Sequence, residues 1–337
     1  MKRFALSVSV AAALIAGPVA AQTVFTVSSW LPPAHALSSA QKEWCDQVEK
    51  ASTGKMKCNI LPRGVSAAPG TLDAVKNGLA DVSYTVHGYT PGRFILPTMA
   101  EMPFLGNSAE SISVAFNKIA SKYPAFGAEN QGMKVLAYFT HGPGIIFNTK
   151  RPITKVEDLQ GLKWRVGGGI VNEISKVLNM NSTLKPAPDS YELLAGGVMD
   201  GTLFPAESTE SFRIDKIIKH ATLFPGGLYN TSFIFMMNQA KYDKLSANEK
   251  KIVDSVSGEN AARIFGRGWD KVDRRAIALM QANNVQMVKA DAKFVAEIKA
   301  KTAPLETKWI ADAKGRGLKD PTKVIAEFRA EIAKAEK

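Results

Sequence analysis

Leu159-Gln160-Gly161-Leu162-Lys163-Trp164-Arg165-Val166 is the stretch on which the reading of this chain turns. Leu162, Trp164 and Val166 alternate with Lys163 and Arg165, the period of a strand with one buried face. A helical turn at Lys155–Asp158 precedes it, and Gly167-Gly168-Gly169 follows. With Trp164 and Val166 in a core, Arg165 leaves by the opposite face. An arginine at a strand end, just before glycines that open a helix, can offer two parallel N–H groups to a carboxylate. Taken alone, the stretch fits a surface ion pair better, so the surroundings decide.

Downstream, a helix over Ile170–Leu178, a short strand at Ser182–Lys185 and a helix at Ser190–Ala195 lead to Gly197-Val198-Met199-Asp200-Gly201 and a strand reaching Phe204. This echoes Gly78-Leu79-Ala80-Asp81-Val82 in the first part of the chain and suggests two similarly built halves. In that first part, strands at Thr23–Trp30, Lys55–Leu61 and Ala80–Val86 alternate with helices at Ser38–Ala51, capped by Ser38, and Thr71–Gly78. Such an order implies parallel pairing, with ligands beyond the carboxyl ends of the strands. Trp30, His35, His87 and Tyr89 fall at that edge. Further along, Ala109–Lys122 reads as helix, Lys134–Phe139 as strand, and Leu228–Asn238 as an apolar strand long enough to pass between halves. Ala247–Asn283 is helical in pattern, with Gly258, Gly266 and Gly268 inside it, and predicts a long helix softened for a hinge. Lys293–Lys334 is an amphipathic helix interrupted at Gly315 and Asp320-Pro321.

Lys2 and Arg3, an apolar run from Phe4 to Gly17 and the small residues Val19-Ala20-Ala21 read as a secretory signal cleaved after Ala21. The run is too short to span a bilayer, so the mature protein is expected to be exported and not itself membrane-spanning. Of 43 Lys+Arg only those two lie in residues 1–21, and none of the 31 Asp+Glu do, which leaves a net of +10. The excess lies mostly after Ala240, with signs alternating along helices. This argues against nucleic acid and for a solvated face docking on an acidic partner. Cys45, on the helix, and Cys58, on the following strand, are expected to form a disulfide in an oxidising compartment. With four histidines and no CxxC, metal-ligand spacing is absent, and no cofactor is expected. Gly-x-Ser-x-Gly, His-Glu-x-x-His and the phosphate-loop fingerprint are all missing, which argues against a secreted enzyme.

Gly78–Val82, Met102-Pro103-Phe104-Leu105, Asn148–Ile153, Asp158–Val166 and Gly197–Gly201 occur in an order that resembles the extracytoplasmic solute-binding subunits of tripartite ATP-independent periplasmic (TRAP) transporters. The resemblance covers essentially all of the mature chain. It implies an α/β, two-domain periplasmic-binding-protein-like fold with hinge strands and a long domain-spanning helix. On this reading, residues 22–142 plus about 231–270 form domain I. Residues 143–230 plus about 271–337 form domain II with the C-terminal helices. The resemblance further implies hinge closure on a small organic carboxylate held by Arg165, and delivery to a pair of integral membrane TRAP subunits.

Two departures sharpen the expectation. Relatives that bind diacids or sugar acids often carry another arginine shortly after the glycine near position 142, where this chain has Pro143-Gly144-Ile145-Ile146-Phe147. Many also place an asparagine where Phe204 stands. Trp30, Tyr89, Phe147 and Phe204 are therefore candidate apolar walls, with Gly168 letting backbone approach the carboxylate and His35 or His87 donating to a hydroxyl or keto oxygen. The cleft suits a monocarboxylate with an apolar or aromatic body, of the hydroxycinnamate or arylpyruvate kind. A dicarboxylate or keto acid in the same role, or the ligand-binding module of a sensor, remain the alternatives.

Overall fold

The computed structural model describes residues 22–336, so the expected export signal over 1–21 lies outside them. The chain forms β1 (Thr23–Val27), β2 (Met56–Ile60), β3 (Val82–Val86), β4 (Met133–Thr140), β5 (Ile145–Asn148) and β6 (Lys163–Val166). β7 (Asn181–Leu184), β8 (Gly201–Phe204), β9 (His220–Leu223), β10 (Ser232–Asn238) and β11 (Gln286–Lys289) complete the strands. They make two sheets, ordered β2-β1-β3-β10-β4 and β11-β9-β5-β8-β6-β7. Parallel pairing joins β1 to β2 and β3 in the first sheet, and β6 to β7 and β8 in the second. The strands that follow a crossing, β10 and β5, run antiparallel to both neighbours. The crossing stretch near Leu228 is therefore strand only from Ser232, where ladder partners become available.

The echoed Gly-x-x-Asp turns do the same work in both sheets. The Asp81 carboxylate accepts from Thr26 N at 2.8 Å while Asp81 N donates to Thr26 O. Asp200 repeats the pair on Lys163, accepting its N–H at 2.9 Å and donating to its carbonyl. Each aspartate thus pins the strand beside its own at the point where the preceding helix ends.

The helix Ala36–Ala51 starts two residues before Ser38. His35 is its cap, with Nδ1 accepting from Leu37 N at 3.1 Å, and Ser38 instead donates to Pro32 O. The long helical pattern is realised as two helices, Ala247–Val256 and Glu259–Ala282, because Gly258 adopts φ 63° between them. Gly266 is not a soft point. An added Cβ there would lie 2.5 Å from Glu110 Cα, so this glycine lets the helix press on the helix Ala109–Lys122. The helix Glu259–Ala282 packs on the helices Ala36–Ala51 and Ala109–Lys122 and on β4, and also meets the helix Glu207–Ser211 beyond β8. It spans both sheets. Of the last two helices, Ala292–Gly315 packs on Ile170–Val177, while Pro321–Ala335 packs on Ala109–Lys122 of the first half.

Cys45 and Cys58 are joined, with Cα atoms 5.7 Å apart, and tie the helix Ala36–Ala51 to the edge strand β2. Replacing both by serine is expected to cost about 2–3 kcal/mol, as loop-closure entropy is restored to the unfolded chain. Urea melts of the oxidised protein and the double variant check this.

Candidate ligand-binding site

β6 delivers Arg165 as the alternation requires. Trp164 and Val166 are fully buried, and Trp164 Nε1 donates to Leu159 O at 3.0 Å. Arg165, on the other face, is only 1% exposed. Its Nε and Nη2 donate to Lys185 O at 2.9 and 2.7 Å. Among the described residues, no carboxylate forms an ion pair with it. Asp189 acts only at longer range, and burial lowers the guanidinium pKa from its usual value. The Phe204 ring lies 4.4 Å below the guanidinium carbon, which partly compensates a desolvated cation.

Arg165 opens onto a small cavity between the two sheets, with about 50 Å³ of free space as the halves stand here. Trp30, Tyr89, His35, Phe204 and Gly168 all line it with Arg165, so six of the eight expected ligand residues converge there. Trp30 is held by a 3.0 Å bond from Nε1 to Tyr84 O and packs edge-on to Tyr89. Tyr89 receives Ala187 N at 3.0 Å, a contact from one half to the other.

The other two do not reach the cavity. His87 turns into the first half, where Nδ1 meets Ser232 Oγ at 3.0 Å and the ring packs on Phe94 and Tyr138. It ends a strand buried on both faces, and its side chain falls on the inner side. Phe147 is fully buried in the apolar core. Its side chain leaves by the face of the sheet that packs into this core, so it meets packing rather than solvent.

His35 lines the cavity with its Nε2 turned toward Glu207. Nδ1 accepts from Leu37 N, so Nε2 carries the proton and meets Glu207 Oε2 at 3.4 Å. Gly168, besides lining the cavity, touches the other half. A Cβ there would sit 1.9 Å from Gly88 O, so the two backbones meet without side chains between them. The missing second arginine also has a steric cause, because a Cβ on Gly144 would lie 2.2 Å from the Tyr229 ring.

His141, Tyr229, Phe212 and Trp269 line the cavity too and were not foreseen. His141 ends β4 as His87 ends β3, so the same strand-end argument marks it. Trp269 lies within a long helix, where periodicity cannot tell a cavity wall from core. Burial raises the Tyr89 and Tyr229 hydroxyl pKa values, so both stay neutral donors. Among the described residues, no group of three or more His, Cys, Asp or Glu is placed to hold a metal.

Three buried carboxyls bridge the halves around the cavity. Glu101 accepts from Ile170 N at 2.7 Å and from Ser232 N and Oγ at 3.1 and 2.6 Å. Glu207 faces His35, and Asp273 accepts from Glu207 N at 2.7 Å. Burial raises their pKa values to about 7, 7 and 8, outweighing the donors around Glu101. Burial lowers His35, His87 and His141 from 6.5 to about 3, 3 and 4.

The carboxyl pKa values are raised on folding, so the stability they bring is full at acid pH and lost as pH rises to about 8. The histidine pKa values are depressed, so theirs is present above 6.5 and lost as pH falls to about 3. The two sets oppose each other at mildly acid pH. The unfolding temperature is therefore expected to be flat between about 4.5 and 6.5 and to fall on both sides. A thermal melt series over pH checks this, and Asp273→Asn should flatten the alkaline limb.

No helix among the described residues is long and apolar enough to cross a membrane. A TRAP periplasmic solute-binding protein from Bordetella bronchiseptica, with bound (R)-mandelate and (S)-mandelate, is 39% identical, with a TM-score of 0.90 over 93% of this chain and 99% of that one. A marine metagenome TRAP solute-binding protein specific for aromatic acid ligands, in complex with 3-hydroxybenzoate, is 32% identical, with a TM-score of 0.86 over 94% and 99%. A TRAP solute-binding protein from Rhodoferax ferrireducens T118, in complex with copurified benzoate, is 27% identical, with a TM-score of 0.86 over 94% and 99%. The family description "Bacterial extracellular solute-binding protein, family 7" matches residues 27–312. A buried arginine facing an apolar interlobe cavity, on a chain matched over most of its length, leads to one assignment: the protein belongs to the bacterial extracellular solute-binding proteins of family 7.

Proposed function

We propose that the protein captures an aromatic monocarboxylate outside the cytoplasm and delivers it to the integral membrane subunits of a TRAP transporter. The observation that carries this is Arg165, a buried cation without an ion-pair partner among the described residues, facing a cavity walled by Trp30, Tyr89, Phe204 and Phe212. A desolvated, unpaired charge costs several kcal/mol, and an incoming carboxylate removes that penalty. Binding and closure are then one event. The single cation favours one carboxylate over two, and relatives with bound mandelate, 3-hydroxybenzoate or benzoate support the aromatic body. Export with cleavage after Ala21 and the division into 22–142 plus about 231–270 against 143–230 plus about 271–337 belong to the same reading.

A thermal-shift screen of the mature protein tests it. Benzoate or mandelate at a hundredfold excess over Kd should stabilise the fold by about 2.7 kcal/mol. A shift produced by succinate or malate, and by no aromatic acid, would overturn the assignment.

A further inference from the structure

Two buried polar atoms on residues that line the cavity have no partner among the described residues. Trp269 Nε1 and His141 Nε2 are both buried and make no hydrogen bond. Both rings line the cavity that holds Arg165, with centroids 5.9 Å apart and planes at 67°. A buried donor or acceptor left unpaired costs about 1–3 kcal/mol, and native structures leave few of them. Nothing on the protein side answers these two. His35, beside Trp269, has its Nε2 turned to Glu207 Oε2 at 3.4 Å.

The roles of the two nitrogens follow from their surroundings. His141 Nδ1 lies against the carbonyl oxygen of Gly142, which can only accept, so Nδ1 carries the proton. Burial pushes the ring pKa down to about 4, so Nε2 stays a bare acceptor at neutral pH. An indole N–H only donates. One acceptor beside one donor fits a hydroxyl, which both donates and accepts. It does not fit a second carboxylate, which only accepts, or an ammonium, which only donates.

We propose that the cavity selects hydroxylated aromatic acids, the ligand hydroxyl donating to His141 Nε2 and accepting from Trp269 Nε1 while its carboxylate meets Arg165. This rests on the aromatic-acid reading above and adds the group that tells one such acid from another. Sites that pair a substrate hydroxyl reject the analogue lacking it, because their own polar atoms are then left unpaired.

Isothermal titration on the mature protein tests the idea with matched pairs. Mandelate against phenylacetate probes a hydroxyl next to the carboxylate; 3- and 4-hydroxybenzoate against benzoate probe one on the ring. In at least one pair the hydroxylated acid should bind about tenfold tighter or better, a difference of about 1.4 kcal/mol. Its methyl ether, which cannot donate, should lose that gain. Within Trp269→Phe, and again within His141→Phe, the ratio between the two acids should fall below about threefold. The ratio is read inside each variant, and the wild-type pairs stand without any variant. Ratios near one in every wild-type pair would overturn the proposal, as would a ratio that survives Trp269→Phe. If hydroxylated and parent acids alike fail to bind, the aromatic-acid reading falls and takes this one with it.

Discussion

Arg165→Ala is expected to abolish measurable binding of every carboxylate the protein accepts. Truncating one partner of a buried, hydrogen-bonded charge pair costs about 2–5 kcal/mol, or roughly 30-fold to several thousandfold in Kd. The upper end should apply here. The guanidinium is 1% exposed, and no second arginine stands where Gly144 packs against Tyr229. Arg165→Lys keeps the charge and loses the fork, together with the paired bonds from Nε and Nη2 to Lys185 O. It should recover little of the affinity. Titration calorimetry with benzoate, beside circular dichroism of the unliganded variants, separates lost binding from lost fold. Near wild-type affinity in Arg165→Ala would remove the basis of the functional proposal.

Gly168→Ala is expected to weaken binding strongly by a different route. Its backbone is not in the left-handed region, so alanine meets no intrinsic strain there. The obstacle is Gly88 O, 1.9 Å from the added methyl and part of a rigid backbone. The two halves cannot then meet as they do here, and Tyr89 loses its reach to Ala187 N. A ligand held by one half alone forfeits the water-poor enclosure that makes a single charge contact strong. Kd should rise by about a hundredfold while the unliganded melting temperature barely moves. Small-angle scattering with and without benzoate should show compaction in the wild type and none in the variant. Gly127→Ala, where nothing lies within 4 Å of an added Cβ, serves as the control.

How far the site was legible depends on where each residue sits. For Arg165, strand period gave the face it leaves by, and the family resemblance gave it a carboxylate to hold. Trp30 and Tyr89 were readable from the rule that ligands gather at strand ends. That rule speaks of backbone position only. His87 sits at the right edge and turns into the first half because Ser232 on the neighbouring β10 holds it there. Phe147 looked like a wall because which face of β5 meets the packed core cannot be seen locally. Trp269 was invisible because a cavity wall and a packed core impose the same apolar stripe on a helix. The fold was read more completely, since the paired Asp81 and Asp200 turns recur in sequence as they do in space. Gly266 was misjudged because a glycine that admits a neighbour and one that bends a helix look alike in one dimension.

The placement of β10 has a bearing on how the molecule is assembled. Between β3 and β4 lies a strand made more than ninety residues later, from Ser232 to Asn238. As the chain leaves the ribosome, its first 140 residues hold four of the five strands of that sheet and lack the one that joins them. Those strands cannot close into a finished sheet until nearly three quarters of the polypeptide has been made. A fragment ending before Ser232 should behave as a collapsed, poorly ordered chain rather than as a free-standing lobe. A nascent chain that finishes folding this late stays threadable for most of its synthesis.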